Sequence, residues 1–146
     1  MRQFRSLFLL FILVWITPVS AQVYFTRNAG GEESNPTPGY WNHVAIAAGV
    51  DVDGDEIIAE YQRDTNGVIY VKKSVFFARY PIIETVFVPV QYNRTMREKE
   101  YGIYPFARRK HNCCTFVSKY ILGKYVFKPD NLHQILIAKY KKETKK

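Results

Sequence analysis

The order of its strand-like and helix-like segments is the feature that most constrains the fold of this chain. Two helices are predicted in the last third of the chain. One has apolar residues at helical spacing and runs from Cys113 to Gly123, and the other is capped by Asp130 or Asn131 and reaches Lys139. Strands grouped ahead of helices predict an α+β fold with a central antiparallel sheet. The predicted strands, which alternate apolar and polar residues, lie at residues 22–27, 42–48, 56–61, 68–71 and 84–90.

Shorter signals connect these segments. The stretch Asp51-Val52-Asp53-Gly54-Asp55 is typical of a turn. Ser74 is predicted to cap a short helix that ends at Arg79, and a further helix is predicted over residues 92–101.

The first 21 residues resemble a secretory signal peptide. Arg2 and Arg5 precede an apolar run from Leu7 to Ile16, and Val19-Ser20-Ala21 is a small-residue cleavage site. The apolar run is shorter than the roughly 20 residues that span a bilayer. We therefore expect a secreted or periplasmic protein whose mature chain, residues 22–146, forms a single domain.

The mature chain is basic. Two of the 21 Lys and Arg residues and none of the 13 Asp and Glu residues lie in the predicted signal, which leaves a net charge of +6. In an exported protein this charge favours an anionic cell wall, glycan or lipid headgroup as the partner, and no nucleic acid is expected.

The only two cysteines are neighbours, Cys113 and Cys114. Adjacent residues cannot join distant segments through a disulfide, and a bond between them would be strained, so reactivity explains at least one thiol better. Cys113 opens the predicted helix, where the positive end of the helix dipole favours the thiolate. Cys114 points about 100° further round the helix, towards the core. Cys113 is therefore the predicted nucleophile.

Cysteine hydrolysis also needs an imidazole that pairs with the thiolate and later protonates the leaving group. His43 lies on a predicted strand of small residues, with Trp41 two positions before it. His111, two residues before Cys113, is interpreted as a loop residue, and His133 as a surface group of the last helix. His43 is the predicted base.

The group that orients the imidazole depends on the pairing of two strands. Glu60 shares the face of His43 only if the numbers of paired residues sum to an odd value. A sum of 103 places Glu60 directly opposite His43, whereas 105 places Gln62 opposite and Glu60 diagonal. The sequence leaves both registers open, with Glu60 preferred and Gln62 as its rival.

No metal or cofactor is predicted. Asp51, Asp53 and Asp55 match the start of an EF-hand loop, but its sixth position is Glu56 instead of glycine and its twelfth is Gln62 instead of glutamate. The cysteines and histidines lack the spacing of a zinc site.

These motifs resemble those of the circularly permuted NlpC-type papain-like hydrolases, in which a histidine strand precedes the cysteine helix. The resemblance rests on His43-Val44-Ala45-Ile46 with Gly49, on Ile57-Ile58-Ala59-Glu60, and on Asn112-Cys113-Cys114-Thr115-Phe116-Val117. It implies a papain-like fold in which the nucleophile helix packs on the sheet, with Cys113, His43 and Glu60 as the catalytic residues. Further candidates for the oxyanion or the substrate are Tyr104, Asn112 and Gln62.

The resemblance implies an exported cysteine hydrolase that cleaves an amide bond through a Cys113 acyl-enzyme. The expected substrate is a peptide, peptidoglycan or lipid-linked amide, such as a peptidoglycan stem peptide. One alternative is lipid acyl transfer or thioester hydrolysis, because lecithin retinol acyltransferase relatives have a similar histidine strand and Asn-Cys motif. The other is a non-catalytic module that binds the cell wall or surface.

Overall fold

The computed structural model describes residues 20–27, 39–62, 67–93 and 112–140. These residues form five strands and three helices, which follow one another in the order of the prediction. The strands are β1 (Ala21–Arg27), β2 (His43–Val50), β3 (Glu56–Gln62), β4 (Gly67–Lys72) and β5 (Ile82–Val88). The helices are α1 (Lys73–Arg79), α2 (Cys113–Leu122) and α3 (Pro129–Tyr140).

The strands form one antiparallel sheet in the order β4-β3-β2-β1-β5. The predicted α+β class with an antiparallel sheet is therefore confirmed. The turn predicted between β2 and β3 is also present, since the Asp51 carboxylate accepts hydrogen bonds from the N–H groups of Asp53 and Asp55.

The sheet has a core on each face. On one face α2 and α3 cover a large cluster whose members include Val44, Ile46, Phe116 and Leu132. On the other face a smaller cluster joins α1 and the residue after it to β1, β2 and β3. Because side chains alternate along a strand, His43 and Ala45 belong to the face that α1 covers and Val44 to the face that α2 covers.

A bulge in β2 sets the register on which the site depends. Next to the turn, Val50 pairs with Glu56, and these numbers sum to an even value. The register then shifts by one residue between Ala47 and Val50, where Gly49 takes a φ of 99°. In the part of β2 further from the turn, from Ala47 back to Ala45, the numbers of paired residues sum to 105, as in the pair of Ala45 and Glu60. Without the shift, Glu60 would lie on the opposite face of the sheet from His43.

Two predicted helix caps are wrong. The residue before α1 is Lys72, its side chain makes no capping hydrogen bond, and Ser74 lies inside the helix. The last helix begins at Pro129, whose fixed φ suits a first helical position, so Asp130 lies in the first turn. Its carboxylate accepts instead from the N–H groups of Tyr40 and Trp41, at 2.8 and 2.7 Å, and ties α3 to the segment that leads into β2.

Some predictions concern residues outside the described ranges. They include the helix over residues 92–101 beyond Asn93, and nearly all of the signal peptide. Ala21, the last residue of the predicted signal, begins β1. Cleavage after Ala21 would leave six of the seven β1 residues in the mature chain. No helix in the described part of the chain is long and apolar enough to cross a membrane.

Candidate active site

Reciprocal hydrogen bonds fix the start of α2. The Asn112 side chain accepts from the N–H of Thr115 at 2.8 Å, and the Thr115 hydroxyl accepts from the N–H of Asn112 at 2.9 Å. This capping box satisfies donors that the first turn of a helix leaves unpaired. Gly123, left-handed at φ 68°, ends the helix where the sequence predicted. Cys113 is therefore the first residue of α2, where the helix dipole favours a negative sulfur.

The two cysteines lie in different environments. Cys114 is fully buried in the core between α2 and the sheet, as predicted. This burial, together with the nearby charge of Cys113, raises the pKa of the Cys114 thiol well above its usual value. Cys113 is only half-buried, and both cysteines are free. Cys113 is thus the more accessible and the more acidic of the two thiols.

His43 and Glu60 are in direct contact. The distance from His43 Nε2 to Glu60 Oε2 is 2.7 Å. The register is the one that sums to 105, so Glu60 is diagonal to His43, a separation that a long side chain can span. By the same register Gln62 would be opposite His43, and its side chain lies outside the described part of the structure.

Cys113 meets His43 where β2 and β3 stop pairing. The His43 ring lies on the face that α1 covers, near Phe76 and Tyr80, whereas α2 packs on the other face. The paired residues of β2 and β3 end at Ala45 and Glu60. Just beyond that pair, the N–H of Val44 forms a hydrogen bond with the Cys113 sulfur. The opening at the end of the ladder brings the thiol and the imidazole together.

The contact between Cys113 and His43 favours an ion pair. Burial alone would raise the pKa of the Cys113 thiol, but the charge and hydrogen bond of His43, helped by the N–H groups of Val44 and Cys114, bring it below its usual value. Burial would lower the pKa of His43, but the charge and hydrogen bond of Cys113 and the contact with Glu60 raise it to about 9. These opposite shifts favour the thiolate and imidazolium pair over the neutral thiol and imidazole.

Glu60 is a buried carboxylate with partners on both oxygens. Its side chain has no exposed surface, and Arg79 Nη1 donates to Oε1 at 2.6 Å while His43 contacts Oε2. Burial would raise the pKa of Glu60, but the hydrogen bonds and charges of His43 and Arg79 lower it. Glu60 is therefore ionised and can hold the imidazolium in place.

Two residues of this site, Arg79 and Tyr80, were not among the residues predicted from the sequence. The Tyr80 ring stacks on the His43 ring, with centroids 5.3 Å apart and planes 23° apart. Burial and the nearby Glu60 charge raise the pKa of Tyr80 to about 12, so its hydroxyl stays protonated. The sequence contains one signal for a cation, since a glutamate within an apolar strand needs one if it is buried, but that signal did not identify Arg79.

The remaining candidates have other surroundings. Besides capping α2, Asn112 donates through Nδ2 to the carbonyl oxygen of Phe127 at 3.3 Å, and its role at the oxyanion stays a prediction. Tyr104 and His111 lie outside the described residues. Within the described ranges, no group of three His, Cys, Asp or Glu side chains could hold a metal ion.

The interpretation of His133 as a surface group is wrong. Its side chain is only 15% exposed, and its ring lies 4.8 Å from that of Phe25 and 5.3 Å from that of Trp41. The buried stripe of α3 includes Leu132 and Leu136, so position 133 flanks that stripe and meets the sheet.

Comparisons with protein-family models, with curated proteins and with solved structures found no significant match to this chain. The geometry of the site and the motifs that led to it therefore carry the functional argument. Together they describe a half-buried thiol in contact with an imidazole, which in turn is held by a buried carboxylate.

Cys113 should be the cysteine that reacts in the folded protein. We expect iodoacetamide to alkylate Cys113 and to spare Cys114, because only Cys113 is both partly exposed and thiolate-forming. Peptide mass spectrometry should find the label lost in Cys113→Ala and kept in Cys114→Ala, while both cysteines of the wild type react in urea. Equal labelling of the two cysteines in the native protein would contradict the assignment.

His43 should determine the reactivity of that thiol. Replacing it in His43→Ala removes the charge that stabilises the thiolate, so alkylation at pH 6 should slow by about tenfold for each unit by which the Cys113 pKa rises. Above pH 10 the variant and the wild type should react at similar rates. His133→Ala removes a different half-buried imidazole and should label like the wild type. An unchanged rate at pH 6 in His43→Ala would rule out this ion pair.

Gly49 should matter for reactivity as well as for stability. A side chain at its positive φ is strained, so Gly49→Ala should lower the free energy of unfolding in urea by about 1 kcal/mol. It should also slow Cys113 alkylation, because the bulge puts Glu60 on the face of His43. Gly54→Ala is the matched control, since Gly54 has a φ of 85° in the exposed turn and, as at Gly49, no atom within 4 Å of an added Cβ. Equal rates of Cys113 alkylation in the two variants would contradict this role of the bulge.

Proposed function

We propose that the protein is a cysteine hydrolase that cleaves an amide bond through an acyl-enzyme on Cys113. The observation that carries the proposal is the continuous contact from the Cys113 sulfur to the His43 imidazole and from His43 Nε2 to the buried Glu60 carboxylate. Nucleophile, proton carrier and orienting group are the three parts that such chemistry requires.

The geometry supports the following reaction. The Cys113 thiolate attacks the carbonyl carbon of the substrate and forms a carbon–sulfur bond. The His43 imidazolium gives its proton to the amine as the carbon–nitrogen bond breaks, which leaves a thioester. Water then attacks the thioester, His43 takes up a proton from that water, and the acid departs as the thiolate re-forms. Because Glu60 occupies Nε2, the proton moves through the other ring nitrogen, Nδ1.

Within the α+β class we assign the fold to the permuted papain-like type. Three features support this assignment: the histidine begins a strand that precedes the cysteine helix, the cysteine is the first residue of that helix, and the helix packs on the antiparallel sheet. The order of histidine and cysteine in the chain is the permuted one.

The substrate class that we propose is a peptide-type amide outside the cytoplasm, such as one in a peptidoglycan stem peptide. The signal-like first 21 residues and the positive charge of the rest support an exported protein that works at an anionic wall or membrane surface. The resemblance to NlpC-type hydrolases supports the choice of an amide.

One observation favours a lipid-directed alternative, an acyltransferase or a thioesterase. The exposed ring of Phe127 belongs to a residue whose carbonyl oxygen accepts a hydrogen bond from Asn112, the neighbour of the nucleophile. An exposed aromatic side chain on a residue whose backbone is bonded to the neighbour of the reactive cysteine could contact an acyl chain.

Incubation with purified peptidoglycan sacculi and with phospholipid vesicles should separate these activities. We expect new amino groups and soluble peptides from sacculi, and turnover should fall about a thousandfold or more in Cys113→Ala and in His43→Ala. Cys114→Ala, which alters a buried neighbour, should keep most of the activity. Fatty acid release from vesicles instead would favour the lipid alternative. Sacculus binding that Cys113→Ala leaves intact, without any product, would mean a non-catalytic module.

A further inference from the structure

We propose that Arg79 is a positioning residue of this site: its guanidinium holds both the Glu60 carboxylate and the Tyr80 hydroxyl, and those two side chains hold the His43 imidazole. The inference rests on the proposed cysteine chemistry. It adds a residue from α1 to a site that the sequence motifs place on β2, β3 and α2.

Arg79 contacts the Glu60 carboxylate directly. A fully buried carboxylate is unstable unless its oxygens are paired, and Arg79 pairs with the oxygen that His43 does not occupy. The two oxygens thus divide between a fixed cation and the imidazolium. Because one end of the carboxylate is anchored by Arg79, the other end is held towards His43 Nε2 at 2.7 Å.

Arg79 also contacts Tyr80. The Arg79 guanidinium carbon lies 5.8 Å from the centre of the Tyr80 ring, where the guanidinium donates a hydrogen bond to the Tyr80 hydroxyl, and the Tyr80 ring stacks on His43. The guanidinium therefore links Glu60, at the edge of the imidazole, with Tyr80, which covers one face of the imidazole. A planar guanidinium has five donors in a fixed arrangement and can serve both partners at once, whereas a lysine ammonium on a flexible stem is less suited to do so.

The charges in the described part of the site alternate. The Cys113 thiolate, the His43 imidazolium, the Glu60 carboxylate and the Arg79 guanidinium follow one another, with the neutral Tyr80 beside them. The four charges sum to zero. Removal of Arg79 would leave one uncompensated negative charge, so the remaining groups would hold their protons more tightly and the thiolate would form only at a higher pH.

The same helix supplies a matched control. Lys73, the first residue of α1, pairs with Glu56, the first residue of β3, so the Lys73 and Glu56 pair also links α1 to β3. The two pairs differ in burial, since the Glu56 side chain is 57% exposed and that of Glu60 is fully buried. Lys73→Gln therefore removes the same charge from the same helix without touching the site.

The test is the pH at which the Cys113 thiolate forms, followed by absorbance near 240 nm and by the rate of iodoacetamide alkylation. We expect the midpoint to rise by about one pH unit in Arg79→Gln. Arg79→Lys should raise the midpoint less than Arg79→Gln does, because it keeps the positive charge. Lys73→Gln should titrate like the wild type. In a Glu60→Gln background, adding Arg79→Gln should move the midpoint less than it does in the wild type, since only the contact with Tyr80 and the direct effect of the Arg79 charge are then lost.

Thermal unfolding confirms that each variant is folded at the temperature of the titration, and Arg79→Lys supplies a second measurement if Arg79→Gln does not fold. A midpoint in Arg79→Gln equal to that of Lys73→Gln would overturn the inference. If only Arg79→Lys folds, a wild-type midpoint in that variant, together with an unchanged alkylation rate when Tyr80→Phe is added to it, would overturn the inference as well. An equal shift with and without Glu60 would also overturn it. If wild-type Cys113 titrates as an ordinary thiol, the proposed function itself fails, which is a different result from an Arg79 that has no effect.

Discussion

The Glu60 carboxylate is the group on which the arrangement of this site depends. It has no exposed surface, and a buried charge without partners is destabilising by several kcal/mol. Its partners come from two different elements, His43 from β2 and Arg79 from α1. The same contacts that make the buried charge tolerable therefore hold a helix and two strands in one relative position. That position presents the imidazole to the cysteine.

The second constraint is the shape of the strand pair that carries His43 and Glu60. The bulge at Gly49 places both side chains on one face. The pairing of β2 with β3 ends at Ala45, which leaves room for the Cys113 sulfur beside the preceding residue, Val44. Thiol and imidazole thus approach from opposite faces of the sheet. The histidine need not reach across a packed core, and the cysteine helix keeps its apolar side, with Cys114, in that core.

Local patterns predicted the elements of the fold well, because alternation and helix-ending signals act within a few residues. They could not fix the register, since two odd sums both put Glu60 on the face of His43. The even pairing of Val50 with Glu56 would have excluded Glu60, and only the one-residue shift of the bulge restores the odd sum. Arg79 could not be found from the motifs, as it reaches Glu60 from another element. The error at His133 arose in the same way, from packing against the sheet.

The surroundings of His43 suit the two opposite proton transfers of the proposed amide hydrolysis. The same ring nitrogen must give a proton to the leaving amine and later take one from water, so a ring that turned between the steps would lose its alignment. Glu60 holds Nε2 and Tyr80 covers one face of the ring, so Nδ1 is the nitrogen that we assign to the contact with the Cys113 sulfur. Because these contacts do not depend on whether Nδ1 carries its proton, the imidazole can change charge without changing place. A fixed ring between a thiolate and a buried carboxylate is thus a physical reason to expect catalysis, and not binding alone, at Cys113.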